Sequence, residues 1–416
     1  MGEGFLQIQQ GGNNRMDPRV DWDNEQIVEG SAHTLMPHNF DPRLSDSELE
    51  NRGRIGQIAF TDNCVAQLGL LEAKTCMFHC YDWTRAETTS VHLKWDFGVA
   101  FAVNEGLLND PAEGILGVGL NHSQTAYYST RRRNDPNPPS FLEVIPNKLN
   151  RVSPSQRKEN VSIYFAIRLA PRAYYREPGI VRGSNLIQSW ISFNGWPCKR
   201  EPRWNERKIV VCGVDPEPRD WSVYLRSMRF MPMVDLESPR PRLTTAPEYL
   251  QAKLDFVDTR RPRGLCVILD TGASVTRLPP PFFQKLYHGL FRFKQNDPVG
   301  PNDAEPEAWV LPAWVKDKRI QIVYEFEGEG GQPVTIYGPF ERFFYQHNVM
   351  ASGNPMEALI YQQDPSCDYG VFGLNFFQSM YVSVHKALNG CHFVQMAPQW
   401  PENIESDLRD YGVPGM

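Results

Sequence analysis

Apolar positions in this chain fall into short runs broken by turn residues, and most of those runs read as strands. Ile320, Ile322, Tyr324 and Phe326 stand at every second position, which predicts a half-buried strand ending at Gly328-Glu329-Gly330-Gly331. Residues 249–257 and 207–211 carry similar patterns. Leu265-Cys266-Val267-Ile268-Leu269 is apolar throughout and predicts a strand with little exposure. Pro279-Pro280-Pro281 leads into Phe282, Phe283, Leu286 and Tyr287, the pattern of a short amphipathic helix opened by prolines.

At 416 residues the chain is too long for one ordinary core, so two lobes are expected. A proline-rich passage around residues 237–248 lies between strand blocks, and a boundary near residues 216–247 gives an N-terminal lobe of 1–230 and a C-terminal lobe of 231–416. The 31 glycines and 34 prolines favour a turn-dense β architecture.

A formal net charge of −6 argues against a nucleic-acid partner, which would require dense Lys and Arg. Arg131-Arg132-Arg133 is the one compact basic run and reads as part of a solvated loop. No run of 18 apolar residues is present, so no membrane-spanning helix is expected. The first residues lack the basic and apolar regions of a signal peptide and the pattern for myristoylation. The sequons Asn121-His122-Ser123 and Asn160-Val161-Ser162 would suit a secreted protein, but such triplets also arise by chance. The eight cysteines show no spacing that declares a disulfide framework. Cys76-Met77-Phe78-His79-Cys80 could be half a metal site, yet no second pair matches it, so neither a metal nor another cofactor is expected.

Candidate chemistry concentrates at Asp270-Thr271-Gly272-Ala273-Ser274, directly after the apolar run. A core strand that delivers an acid into a tight glycine turn builds a buried, hydrogen-bonded carboxylate. Asp270 is the candidate catalytic group. Thr271 and Ser274 supply hydroxyls that can hold the turn, and Gly272 lets the chain reverse. Chemistry with such an acid normally needs a second one sharing its proton, but no other Asp-Thr-Gly or Asp-Ser-Gly exists in the chain.

A weak internal repeat indicates where the counterpart should lie. Gly114-Ile115-Leu116-Gly117 and Gly370-Val371-Phe372-Gly373 both place two apolar residues between glycines. If the first block belongs to an equivalent lobe, its acid should fall at about position 14, with allowance for loop insertions. That window holds Gln10-Gly11-Gly12 after Phe5-Leu6-Gln7-Ile8, with Gln10 in the place of the acid. Alternatively, residues 1–39 are a leader with no such equivalence.

From about Asn39 to Pro398 these pieces, in this order, resemble pepsin-like aspartic proteases of the divergent fungal type. His38-Asn39-Phe40-Asp41-Pro42 looks like the segment after the first active-site strand, and residues 58–64 occupy the place of the flap, with Phe60 and Asp62 in it. Residues 95–99, 113–119, 141–149 and 161–164 follow the family's first lobe, and 209–215 its closing strand. Residues 249–258 lead toward the Asp270 turn, and 370–397 look like the C-terminal block with its Asn389–Phe393 hairpin. Phe60 stands where the family has Tyr, Asn63-Cys64 replaces Gly-Ser, and Leu374 and His385 replace common acids.

The resemblance implies an all-β, bilobal pepsin-like fold with a few short helices, and secretion or delivery to an acidic vacuolar compartment. It implies a monomer that acts on a polypeptide substrate or peptide ligand, without a cofactor, a membrane or nucleic acid. In the family's mechanism one carboxylate activates a water and the other donates to the peptide carbonyl. Three readings follow: an acid endopeptidase whose sequence here lacks its 5′-encoded end, a peptide-binding relative without turnover, or a one-Asp chain that pairs with a second copy. The repeated Gly-apolar-apolar-Gly block argues against the last.

Overall fold

Strand-period alternation dominates the chain in a computed structural model, which describes residues 5–7, 55–59, 65–71, 76–82, 87–93, 97–103, 114–115, 117–120, 141–145, 161–169, 190–193, 204–212, 220–232, 253–273, 275–291, 309–310, 320–343, 357–358 and 360–399. The protein is mostly β-sheet, with a few short helices.

Contacts divide the chain into two units, Met1–Val152 and Ser153–Met416. The first holds β1 (Phe5–Gln7), β2 (Ile55–Ala59), β3 (Val65–Leu71), β4 (Cys76–Asp82), β5 (Glu87–Leu93), β6 (Phe97–Val103), β7 (Gly114–Ile115) and the short helix α1 (Phe141–Val144). Five of its strands form one sheet in the order β2-β3-β6-β1-β7, and β4 and β5 make a separate hairpin.

The second unit begins with β8 (Val161–Arg168), β9 (Trp190–Phe193), β10 (Ile209–Val210), β11 (Ser222–Pro232), β12 (Lys253–Asp255), β13 (Leu265–Leu269) and β14 (Thr276–Leu278). Helix α2 (Pro280–Phe291), β15 (Trp309–Val310), β16 (Ile320–Glu327), β17 (Pro333–Pro339) and helix α3 (Phe340–Phe343) follow. The unit ends with β18 (Glu357–Ala358), β19 (Ile360–Gln362), β20 (Gly370–Phe372), helix α4 (Leu374–Ser379), β21 (Met380–Ala387) and β22 (Phe393–Pro398).

The large sheet of this unit runs β17-β16-β11-β13-β20-β14-β19, with β12 also on β11. A second sheet runs β10-β22-β21-β8-β9. That sheet moves the division of the chain to Val152/Ser153 from the 230/231 expected on composition. β8 pairs with β21 and β10 with β22, so residues 161–210 are hydrogen-bonded to the C-terminal strands. β11 runs without a break through residues 230 and 231.

The expected strand over Ile320–Phe326 is present, but it is not half-buried. Ile322, Val323, Tyr324 and Phe326 are all buried, because β16 lies between β11 and β17 in the sheet interior. It ends as expected in the glycine turn, where Gly330 and Gly331 take φ of 68° and 75°. The helix after the prolines is α2, and the hairpin at residues 389–393 turns through Gly390 at φ 77°. Of residues 249–257, β12 covers only Lys253–Asp255.

An aromatic cluster fills the core beside the large sheet. Phe376 stacks on Phe372 at 4.3 Å between ring centroids, and Tyr324 meets Phe372, Phe376 and Phe343 edge-on at 6.0, 5.6 and 6.0 Å. All four rings are fully buried. Asn375 ties the surrounding elements together. Its side-chain N–H donates to the Phe343 carbonyl at 3.0 Å, and its Oδ1 accepts from the Thr276 hydroxyl at 2.9 Å. The side-chain amide of Gln399 closes the end of α4 by donating to the carbonyls of Phe377 and Met380.

Phe376→Ala should therefore cost about 3–5 kcal/mol of unfolding free energy in urea titration, the range for emptying a buried aromatic site. Tyr337→Ala, on the exposed face of β17, should change it by less than about 0.5 kcal/mol. Equal effects at the two positions would dissolve the assignment of the core.

Candidate functional site

Asp270 sits at the end of β13, and four backbone contacts fix it there. The Leu269 N–H donates to the Trp221 carbonyl at 2.9 Å, and the Asp270 N–H donates to the Phe372 carbonyl at 2.9 Å. Beyond the acid, the Ala273 N–H returns to the Asp270 carbonyl at 3.3 Å, and the Leu374 N–H reaches the Ala273 carbonyl at 2.8 Å. β13 and β20 pair in parallel, with Leu269 beside Phe372, so both strands send their ends to the same edge of the sheet. Gly373, next in the chain after β20, touches the turn so closely that a Cβ there would overlap the Val275 carbonyl oxygen and lie 2.6 Å from that of Ala273. Only glycine permits that approach.

The alternation of β13 sorts its side chains. Leu265, Val267 and Leu269 are buried on one face, while Cys266 and Ile268 are partly exposed on the other, where Asp270 follows in phase. No residue of the apolar run is fully exposed, in keeping with the expected strand of little exposure. Across the ladder, Ile268 faces Ser222 and Cys266 faces Tyr224. Asp220, two residues before β11, is near enough for its charge to act on Asp270.

The carboxylate Oδ1 of Asp270 accepts the Gly272 N–H at 2.7 Å. Burial pushes the Asp270 carboxyl above its ordinary range, the Gly272 bond opposes that rise, and the negative charge of Asp220 adds to it. The backbone amide of Gly272 holds the carboxylate, and the hydroxyl of Thr271 makes no hydrogen bond to a described residue. Ser274 lies outside the described residues, as do Gln10, Phe60 and Asp62. β2 and β3 form a hairpin in which Ile58 and Ala59, the first residues of the segment the resemblance assigns to a flap, pair with Ala66 and Val65.

Phe5–Gln7, the strand before Gln10, does pair with the first glycine block, as β13 pairs with the second. The direction differs, however: β1 and β7 run antiparallel, with Phe5 opposite Ile115. His385, which replaces a common acid, is buried between the rings of Tyr164 at 5.1 Å and Phe393 at 4.2 Å, with Nε2 2.9 Å from the Ser383 hydroxyl.

Sequence reasoning missed Asp220, which lies far from Asp270 in the chain and carries no motif. The turn that leads into β11 brings it within electrostatic reach of Asp270. Among the described residues, no three His, Cys, Asp or Glu side chains gather as a metal site would need, and no helix is long and apolar enough to cross a membrane. Comparison with protein-family models finds none that matches the chain, and comparison with curated proteins finds no match either.

Because Asp270 has a higher pKa folded than unfolded, the folded state holds its proton more tightly. Its contribution to stability is then most favourable below the ordinary carboxyl value and is lost as pH rises through the native one. Asp270→Asn removes that penalty while keeping an oxygen for the Gly272 amide. The variant should gain in melting temperature over wild type as pH is raised from about 3 to 7; a constant difference across that range would mean the carboxyl is unperturbed. Asp220→Asn should lower the Asp270 titration midpoint, followed by carboxyl carbon NMR, by only part of its elevation, since burial is the larger cause.

Proposed function

We propose that this chain is a pepsin-like, bilobal aspartic endopeptidase that hydrolyses polypeptides at acidic pH through a water activated by Asp270. The observation that carries the reading is the seat of that acid. A carboxyl raised by burial stands in a tight turn between β11 and β20, with Gly272 donating to it. Such a group can lose and regain a proton near an acidic working pH, as acid–base catalysis requires. The ionised form would take a proton from water as its oxygen attacks the peptide carbonyl carbon. The protonated form would return a proton to the departing amine. In this scheme the Gly272 amide holds the carboxylate, with Thr271 and Ser274 as the hydroxyl residues of its turn, and Phe60 and Asp62 would lie over the substrate in the flap. The proposal extends to a cofactor-free monomer that is secreted or delivered to an acidic vacuole.

A second reading is favoured by one specific observation, the lack of another Asp-Thr-Gly or Asp-Ser-Gly in the sequence. In it the protein binds peptides without cleaving them.

An unstructured protein substrate incubated at about pH 3–6 and followed by mass spectrometry separates the two. Cleavage that falls by about 10²-fold or more in Asp270→Asn supports the endopeptidase. Saturable peptide binding without cleavage by wild type selects the second reading, and neither binding nor cleavage removes both.

A further inference from the structure

On the partly exposed face of β13, four positions before Asp270, two thiols meet. The Sγ atoms of Cys212 and Cys266 lie 3.4 Å apart, although the residues are 54 positions apart in the chain. We propose that Cys212 and Cys266 are a redox-modifiable pair that closes to a disulfide by exchange with a small-molecule disulfide of the glutathione type.

The local structure holds both thiols in place. The Cys212 N–H donates to the Ser222 carbonyl at 2.8 Å, and the Ser222 hydroxyl returns a bond to the Cys212 carbonyl at 2.7 Å. Val211, the preceding residue, bridges to Val223 of β11. On the other side of β11, Cys266 pairs with Tyr224. The two sulfurs thus meet across β11 beside Ser222, and closing the remaining gap of about 1.4 Å to bonding distance takes backbone movement of the segment at Cys212 as well as side-chain rotation.

Exposure divides the roles. Cys266 is partly exposed and can meet a small reagent, whereas Cys212 is buried. The electrostatics agree. The hydrogen bond with Cys212 pulls the Cys266 thiol below its ordinary range, and the same bond, with burial, pushes Cys212 up. Cys266 is then the attacking thiolate.

The chemistry balances in two exchanges. The Cys266 thiolate attacks one sulfur of the oxidised reagent, whose S–S bond breaks, giving a mixed disulfide and one reagent thiolate. That step removes the Cys266 anion that had held the Cys212 proton in place. Cys212 then gives up its proton and attacks the Cys266 sulfur, and the second reagent thiol leaves. Two protein thiols are oxidised, and one reagent disulfide is reduced to two thiols. The product ties the segment after β10 to the strand that carries Asp270. It requires no peptidase activity, so it can fail or hold independently of the proposed function.

The test is to equilibrate the full chain in oxidised and reduced glutathione mixtures, trap free thiols by alkylation and map the peptides by mass spectrometry. The expected result is a linked pair of peptides containing Cys212 and Cys266, lost on reduction, with a higher melting temperature in the oxidised form. In Cys212→Ser the expected product is a glutathione adduct stalled on Cys266. The proposal is overturned if both cysteines of wild type remain alkylatable, if wild type stops at the glutathione adduct, or if either links instead to Cys367, Cys391 or another cysteine. The wild-type map decides the matter even if the variant does not fold.

Discussion

The pairing of β13 with β20 is the constraint on which the candidate site depends. Phe372 serves it twice. Its ring is fully buried among Tyr324, Phe343 and Phe376, and its carbonyl accepts the Asp270 N–H. The backbone of the acid is therefore anchored to a fully buried aromatic cluster. A shift of the turn would break a buried hydrogen bond or drag an aromatic ring out of a close-packed cluster, and either is costly. Gly373 completes the device, because its missing Cβ lets the chain after β20 lie against the turn.

The same ladder separates packing from chemistry by the period of a strand. Leu265, Val267 and Leu269 meet the core, while Cys266, Ile268 and Asp270 share the other side with Ser222 and Tyr224. Ionisable groups on that side act on one another. Tyr224 is raised by burial first and then by the neighbouring Cys212, and the nearby Arg263 opposes the rise. The guanidinium of Arg263 lies 4.3 Å from the centroid of the Tyr224 ring, and its Nε donates to Glu327 at 2.6 Å. The thiol pair, the Tyr224 phenol, the Arg263 guanidinium and the Glu327 carboxylate thus act on one another beside β11.

What could be read from the sequence was local. The β13 run, the proline-led α2 and the glycine turns at 328–331 and 389–393 each follow from residues within a few positions of one another. The degree of burial of β16 was not legible, because it depends on the neighbours the strand acquires in the sheet. The division of the chain was missed for the same reason. Composition marks a proline-rich passage around 237–248, yet β8 and β10 are claimed by β21 and β22 from the far end of the chain. Asp220 and the Cys212–Cys266 pair were equally hidden. Each partnership spans about fifty residues and exists only in the fold.

The internal repeat shows how far such local reading reaches. It placed a counterpart of Asp270 at about position 14, and the strand before that window, Phe5–Gln7, pairs with the Gly114 block. The equivalence nevertheless stops at the pairing. In the parallel β13–β20 pair, the residues after both strands arrive at one edge, which is why Gly373 can support the Asp270 turn. In the antiparallel β1–β7 pair, Phe5 faces Ile115 and Leu6 faces Gly114, so the two chains leave in opposite directions. That arrangement differs from the one that brings Gly373 against the Asp270 turn. The chemistry argued for this chain accordingly has to begin from Asp270 and the groups that β11, β13 and β20 place around it.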